Sequence, residues 1–152
     1  MSEISGGFRF IHRFRVRWSE VDPQGVVFNA RYLDYGDIGV TEYWRAVGFR
    51  FDVGDDMQFH VAHASVDYKK PIYPDELIDL HVRTEKIGNT SMTVLIEIHG
   101  AGADDLRATI REVQVHVDLD GHKPKPVPEV VRNRFLGFDQ RETVLITGAL
   151  AD

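Results

Sequence analysis

One segment, Asn29 to Val47, has the spacing of a long amphipathic helix, and it constrains the fold more than any other feature. Its apolar side comprises Tyr32, Leu33, Tyr35, Gly36, Gly39, Val40, Tyr43, Trp44 and Val47. This side covers about half of the helix circumference, so a curved sheet suits it better than a flat one. A glycine inside a helix costs about 1 kcal/mol relative to alanine, so we expect Gly36 and Gly39 to serve close packing. Gly48 is placed to end the helix.

Alternating apolar and polar residues predict strands before and after this helix. Five strands are predicted: Phe10 to Trp18, Phe59 to Tyr68, Leu77 to Ile87, Thr90 to His99 and Leu106 to Leu119. The apolar phase changes within the last strand, which predicts a β-bulge near Arg111 and Glu112. A short helix is predicted over residues 128–135, with Pro128 in its first turn. This order is an α+β layout, with one long helix on one face of an antiparallel sheet.

Composition narrows the class of protein. A chain of 152 residues is the size of one domain, so we expect a single domain over residues 1–152 with its core in about residues 8–138. The absence of cysteine excludes thiol nucleophiles, zinc–thiolate sites and disulfides. A net charge of −6 disfavours a nucleic-acid partner. No apolar run approaches the ~20 residues of a membrane span and no signal peptide is recognisable, so we expect no membrane partner and a cytoplasmic location.

An acidic loop, Asp22-Pro23-Gln24-Gly25, runs directly into the predicted helix. Because Asp22 precedes a proline, its backbone is held in an extended or turn conformation. The start of a helix carries unpaired N–H groups and about half a positive charge, which together stabilise a developing oxyanion. A carboxylate beside such a site favours acyl-transfer chemistry, although Asp-Pro-x-Gly is also a common turn sequence.

This region resembles the signature of the 4-hydroxybenzoyl-CoA thioesterase-like family of hot-dog-fold acyl-CoA thioesterases. The matching residues are Val16-Arg17-Trp18, the run from Asp22 to Phe28 and the aromatic-rich helix. The resemblance is looser through Tyr68-Lys69-Lys70-Pro71 and Thr90-Ser91, and it fades after Leu119. It implies a hot-dog fold, with a five-stranded antiparallel sheet wrapped around one long helix, and a hydrolase that converts an acyl-CoA to free acid and CoA without a cofactor.

The resemblance also implies a homodimer or homotetramer, with active sites built from both chains of each dimer. A long edge strand such as Phe59 to Tyr68 leaves unpaired backbone groups in a single chain. Pairing this strand with its twin in a second chain satisfies those groups.

Three catalytic positions follow from the resemblance. Asp22 is implied as the nucleophile, through a mixed anhydride, or as the general base that activates water, and the sequence does not decide between them. The backbone N–H of Asn29 is implied as the oxyanion donor, although Asn29 also suits an N-cap. Gly25 either leaves space for the thioester or serves the turn alone. Glu20, two residues before Asp22, is expected to be a surface strand residue rather than a pocket residue.

Substrate contacts are implied at further positions. Val27, Phe28 and Tyr32 are expected beside the acyl group, although aromatic residues at such spacings are also typical of a core. Thr90 and Ser91 resemble positions that face the active site across the dimer interface. The basic clusters, among them Lys69-Lys70, are interpreted as solvated surface rather than as ligands of the CoA phosphates.

Other kinds of site and function are less favoured. His60 and His63 are three apart in a predicted strand and so fall on opposite faces, and no metal site is expected. The chemistry of a hot-dog dehydratase is typified by a histidine paired with an acidic residue at the helix. No histidine lies between His12 and His60 in this sequence. A thioesterase acting on acyl-carrier protein has identical chemistry and stays open as an alternative, as does a non-catalytic acyl-CoA-binding protein.

Overall fold

The computed structural model describes residues 2–3, 7–50 and 56–149. The elements are β1 (Ser2–Glu3), β2 (Phe10–Arg15), a 3₁₀-helix η1 (Trp18–Glu20), α1 (Arg31–Val47), β3 (Phe59–Tyr68), β4 (Leu77–Ile87), β5 (Ser91–Gly100), β6 (Leu106–Asp118), β7 (Lys123–Pro124), α2 (Glu129–Asp139) and β8 (Leu145–Gly148). The sheet order is β3-β6-β5-β4-β2-β8, with β1 beside β4 and β7 beside β6. The prediction of an α+β fold with one long helix against an antiparallel sheet is confirmed.

The sheet is larger than the predicted five strands and contains eight strands in the described residues. The predicted strands correspond to β2 to β6, while β1, β7 and β8 are additional and at most four residues long. Segments this short carry too little alternation to be detected by periodicity. β2 ends at Arg15, before the predicted end at Trp18, because the chain turns into η1 there.

Two glycines bring α1 close to the sheet. A Cβ atom at Gly36 would lie 3.2 Å from Oε2 of Glu112, and one at Gly39 would lie 3.1 Å from Cγ2 of Val82. The helix thus approaches strands β4 and β6 with no side chain of its own between them, and the predicted packing role of both glycines is confirmed. Gly48 ends the helix as predicted, with a left-handed φ of 110°.

The predicted bulge near Arg111 and Glu112 is wrong. The register of β6 with both neighbouring strands is continuous through these residues, so Glu112, Gln114 and His116 share the buried side of the strand. Gln114 Nε2 donates to Glu112 Oε1 at 3.2 Å, and His116 Nε2 lies 3.0 Å from Oδ1 of Asp56. Oε1 of Gln114 is buried with no hydrogen-bond partner among the described residues. Burial raises the pKa of Glu112. Each of the three side chains still has one polar partner, which offsets part of the cost of facing inward and allows the strand to stay regular.

The second helix covers the end of α1. Phe135 and Phe138 lie against the ring of Tyr43, with centroids 5.6 and 5.9 Å away, and the Tyr43 hydroxyl donates to Asp139. Pro128 is the N-cap of α2 rather than a residue of its first turn. In the described parts of the chain, no helix is both long and apolar enough to cross a membrane.

Substituting Gly39 tests the close approach of α1. A methyl group there would lie 3.1 Å from Cγ2 of Val82, and the resulting strain offsets the ~1 kcal/mol that alanine adds to helix stability. Gly137 in α2 is the matched control, because nothing lies within 4 Å of a Cβ atom there. In parallel urea unfolding we expect Gly39→Ala to be less stable than Gly137→Ala by at least ~1 kcal/mol. Equal unfolding free energies would contradict this packing.

Candidate active site

Asp22 lies in a tight loop that is closed by main-chain hydrogen bonds. Val21 and Val27 form an isolated β-bridge, and the Asp22 N–H donates to the Val26 carbonyl at 2.9 Å. The Gly25 N–H donates back to the Asp22 carbonyl at 3.0 Å. Gly25 has a φ of 80°, a conformation that favours glycine, and this accounts for the residue as a turn glycine. The loop therefore holds the Asp22 main chain in one defined place.

The two carboxylate oxygens of Asp22 have different surroundings. Oδ1 accepts a hydrogen bond from the backbone N–H of Gln24 at 2.8 Å. Oδ2 has no hydrogen-bond partner within the described residues, and the side chain is half-buried. One oxygen thus fixes the orientation of the carboxylate, and the other is available to a substrate or a water molecule.

The helix begins two residues later than predicted, at Arg31, and Ala30 is its N-cap without a side-chain cap. Asn29 is therefore not the N-cap. Its carbonyl accepts hydrogen bonds from the Tyr32 N–H at 3.3 Å and from the Tyr68 hydroxyl at 2.9 Å. The backbone N–H of Asn29 meets no acceptor in the described chain. A free N–H beside a helix start is suited to stabilise an oxyanion.

The loop and the helix start border one cleft of about 350 Å³. The predicted site residues that line it are Asp22, Val27, Phe28, Asn29 and Tyr32. Phe28 is 48% exposed, so its ring is accessible to a bound molecule rather than enclosed in the core. Gly25 belongs to the loop but does not line the cleft. Burial raises the pKa of the Tyr32 phenol, which keeps this hydroxyl neutral.

The end of β3 also lines the cleft, a part of the site that sequence reasoning missed. The Tyr68 ring packs edge-on against Tyr32 at 4.8 Å between centroids. Lys69 and Lys70 follow it and also line the cleft, with the Lys70 ammonium 3.0 Å from Asp105. The lysines are exposed, as interpreted from the sequence, but they face the same cleft as Asp22. The sequence signal that could have placed the lysines at the site is their position directly after the end of a predicted strand.

Glu20 is not the surface residue expected from the sequence. The residue is 6% exposed, and its carboxylate accepts a hydrogen bond from the Tyr35 hydroxyl at 3.0 Å. Burial, reinforced by the charge of Glu20, raises the pKa of Tyr35 well above its usual value. The hydroxyl therefore acts as a donor to the carboxylate.

Comparison with known proteins places this chain in a family. The sequence profile of the Thioesterase-like superfamily matches residues 16–135. The chain belongs to this family. An acyl-CoA thioesterase of Haemophilus influenzae is 31% identical over 136 residues, which cover 87% of this chain and 96% of that protein. Family membership identifies the chain as a thioester hydrolase.

Solved structures agree with this assignment. A thioesterase of Thermus thermophilus, crystallised with coenzyme A and zinc, has a TM-score of 0.78 and 29% identity, covering 90% of this chain and 98% of that one. A 1,4-dihydroxy-2-naphthoyl-CoA thioesterase of Synechocystis has a TM-score of 0.77 at 19% identity, with 90% of this chain and 100% of that one covered, and it supports the fold alone. The hot-dog fold implied by the resemblance is confirmed.

Thr90 and Ser91 of this thioesterase lie far from the cleft of their own chain. Ser91 pairs with Val115, which on its other side pairs with His60 near the start of β3. The cleft lies at Tyr68, at the other end of β3. At ~3.3 Å per residue, the distance along β3 from His60 to Tyr68 is roughly 25 Å. One chain alone does not bring these residues together with Asp22.

The two histidines of β3 do not lie on opposite faces as predicted. The register of β3 with β6 shifts just before His63, so that His60 faces Val115 and His63 faces Val113. These valines are two apart on one strand, and the histidines therefore point to the same side. Across the described ranges, no three His, Cys, Asp or Glu residues are grouped to hold a metal ion.

Proposed function

We propose that this thioesterase hydrolyses acyl-CoA thioesters in the cleft between Asp22 and the start of α1. The observation that carries the proposal is that a carboxylate with one unpartnered oxygen and the unpartnered Asn29 N–H line the same cleft. The acyl-CoA thioesterase among the relatives and the neighbour crystallised with coenzyme A support a CoA ester as the substrate.

The residues of the cleft supply each step of the hydrolysis. Oδ2 of Asp22 either attacks the thioester carbon, giving a mixed anhydride, or accepts a proton from a water that attacks instead. In both routes the carbonyl oxygen becomes an oxyanion, which the Asn29 N–H and the positive end of the α1 dipole stabilise. CoA leaves as a thiolate, which in the water route takes up the proton held by Asp22 and so restores the carboxylate. In the anhydride route a second attack, by water, releases the free acid and restores Asp22.

The lysines at the cleft suit an anionic carrier. Lys69 and Lys70 line the same cleft as Asp22, where they can attract the phosphates of CoA. The phosphopantetheine of an acyl-carrier protein has the same thioester and also a phosphate, so it is the alternative substrate. Release of free thiol from a panel of aliphatic and aromatic acyl-CoAs, beside the same acyl groups on carrier protein, tests both. Binding of CoA esters without release would indicate a non-catalytic protein.

Replacing Asp22 with asparagine removes the charge that attacks or activates water while keeping the shape. We expect kcat to fall by at least ~100-fold, with unchanged thermal unfolding and retained binding of CoA esters. Asp104→Asn is the matched control, because Asp104 is exposed and does not line the cleft. Turnover of Asp22→Asn within about tenfold of the parent enzyme would remove Asp22 from the mechanism.

A pair of substitutions at Asn29 separates its main chain from its side chain. Asn29→Ala keeps the N–H and the carbonyl that accepts from Tyr68, so we expect activity within about tenfold of the parent. Compared with the alanine variant, Asn29→Pro additionally removes the N–H, which donates to no acceptor in the described structure, and we expect a ~10²–10³-fold lower kcat. Both variants are checked for folding by circular dichroism. If a folded proline variant is as fast as the alanine variant, the oxyanion donor lies elsewhere.

We also propose that the enzyme works as a homodimer or a larger assembly joined through β3. This strand lies at one end of the sheet and most of its residues are exposed. Two-fold antiparallel pairing of β3 with a second copy places the start of one β3 beside the end of the other. Thr90 and Ser91 of the second protomer are thereby brought toward the end of the sheet that carries this protomer's cleft, consistent with the expected shared site.

A charge on β3 tests this assembly. Val61 in β3 is 57% exposed, and Val130 in α2, at 59%, is a matched control on another surface. Because Val61→Lys places like charges from two copies at the paired edge, we expect it to lower the mass measured by light scattering to that of a monomer and to reduce activity. Val130→Lys is expected to leave both the measured mass and the activity unchanged. A parent enzyme that is fully active as a monomer at assay concentration would contradict the shared site.

A further inference from the structure

The buried carboxylate of Glu20 lies outside the reacting groups, at the base of the loop that carries Asp22. Besides the Tyr35 hydroxyl at 3.0 Å, it accepts the backbone N–H of Arg17 at 2.9 Å, and its second oxygen lies 3.5 Å from Nη2 of Arg17. Neither oxygen is left without a partner among the described residues. Burying a carboxylate costs desolvation free energy, and the hydrogen bonds from Tyr35 and Arg17 offset part of that cost.

The main chain of Glu20 holds the other end of the same loop. Its carbonyl accepts the Phe28 N–H at 3.0 Å. Phe28 directly precedes Asn29, and Asp22 follows Glu20 by two residues. The carboxylate and the oxyanion donor are therefore both connected to Glu20 through very short stretches of chain.

Tyr35 fixes this arrangement to the core. Its ring is 0% exposed and packs edge-on against Phe14 of β2, with centroids 4.9 Å apart. Because α1 carries Tyr35 on its second turn, the hydrogen bond to Glu20 sets the position of the loop relative to the helix start. A displacement of the reacting groups by about 1 Å can lower a rate ~100-fold. A loop that moved by this distance would therefore lose the geometry of attack.

We infer that Glu20 is a positioning residue: its side chain, held by Tyr35, and its carbonyl, held by Phe28, together fix Asp22 against the Asn29 N–H. The inference rests on the proposed function for its kinetic consequence. The fixed loop itself is a structural property that can be measured without turnover.

Removing single hydroxyls from α1 tests the inference. Tyr35→Phe deletes the donor to Glu20, whereas Tyr43→Phe deletes an equally buried hydroxyl of the same helix that bonds Thr84 and Asp139. We expect Tyr35→Phe to lower kcat about tenfold with KM within about twofold, because positioning acts on the transition state. Tyr43→Phe is expected to lower thermal stability at least as much as Tyr35→Phe does, while its kcat stays within about twofold of the parent value.

Substitutions at Glu20 add a rescue test. Glu20→Gln keeps an oxygen that accepts from Tyr35 and from Arg17, so we expect kcat within about threefold of the parent. Glu20→Met has a similar size and no acceptor of this strength, and we expect a ~100-fold loss. Adding Tyr35→Phe to Glu20→Met should change kcat little further, because both substitutions break one interaction.

Hydrogen exchange of the amides of residues 22–28 provides the readout that is independent of activity. We expect faster exchange at Asp22, Val27 and Phe28 in Tyr35→Phe and Glu20→Met, and parent-like exchange in Tyr43→Phe and Glu20→Gln. If the loop amides exchange at the same rate in Tyr35→Phe and Tyr43→Phe, the positioning role of Glu20 is overturned. A Glu20→Met variant with parent-like kcat would overturn it as well. If the parent protein releases no thiol from any thioester, the proposed function fails, and the exchange data alone decide whether Glu20 fixes the loop.

Discussion

The close contact between α1 and the sheet at the two inner glycines of the helix sets the position of the other parts of the molecule. Because no helix side chain separates them, α1 has a fixed height above β4 and β6. Two fully buried tyrosines then use their hydroxyls to attach segments outside the sheet: Tyr35 holds Glu20 in the Asp22 loop, and Tyr43 holds Asp139 in α2. One packed helix therefore organises both the cleft and the C-terminal helix.

The central strands and α1 were predictable because burial and exposure alternate along them with a regular period. The prediction failed where a polar residue was buried with a partner. Glu112 and Gln114 read as outward residues, but their mutual hydrogen bond lets them face the helix and keeps β6 regular. β8 was not predicted because four residues carry little pattern and its parallel pairing with β2 depends on contacts distant in sequence.

The candidate site was predictable only in its local half. Asp22 and Asn29 lie seven positions apart, so a loop and a helix start bring them together without long-range contacts. The wall formed by Tyr68 and the lysines comes from a segment about forty residues later, and the burial of Glu20 depends on Tyr35. Periodicity predicts which face of a helix or strand is apolar. It does not predict which polar group from a distant part of the sequence will contact that face. The place of Ser91 depends further on the proposed assembly.

The two ends of the sheet differ, and this links assembly to the cleft. At one end β8 covers β2, and Gly148 has a φ of 86°, in a place where a side chain would overlap the Arg13 carbonyl. β3, at the other end, is the long strand whose outer edge has no partner in the described chain. Its last residue, Tyr68, donates to the Asn29 carbonyl. Pairing that orders β3 would therefore also order the peptide beside the proposed oxyanion donor, so the proposed dimer supports the site even before a second chain contributes a side chain.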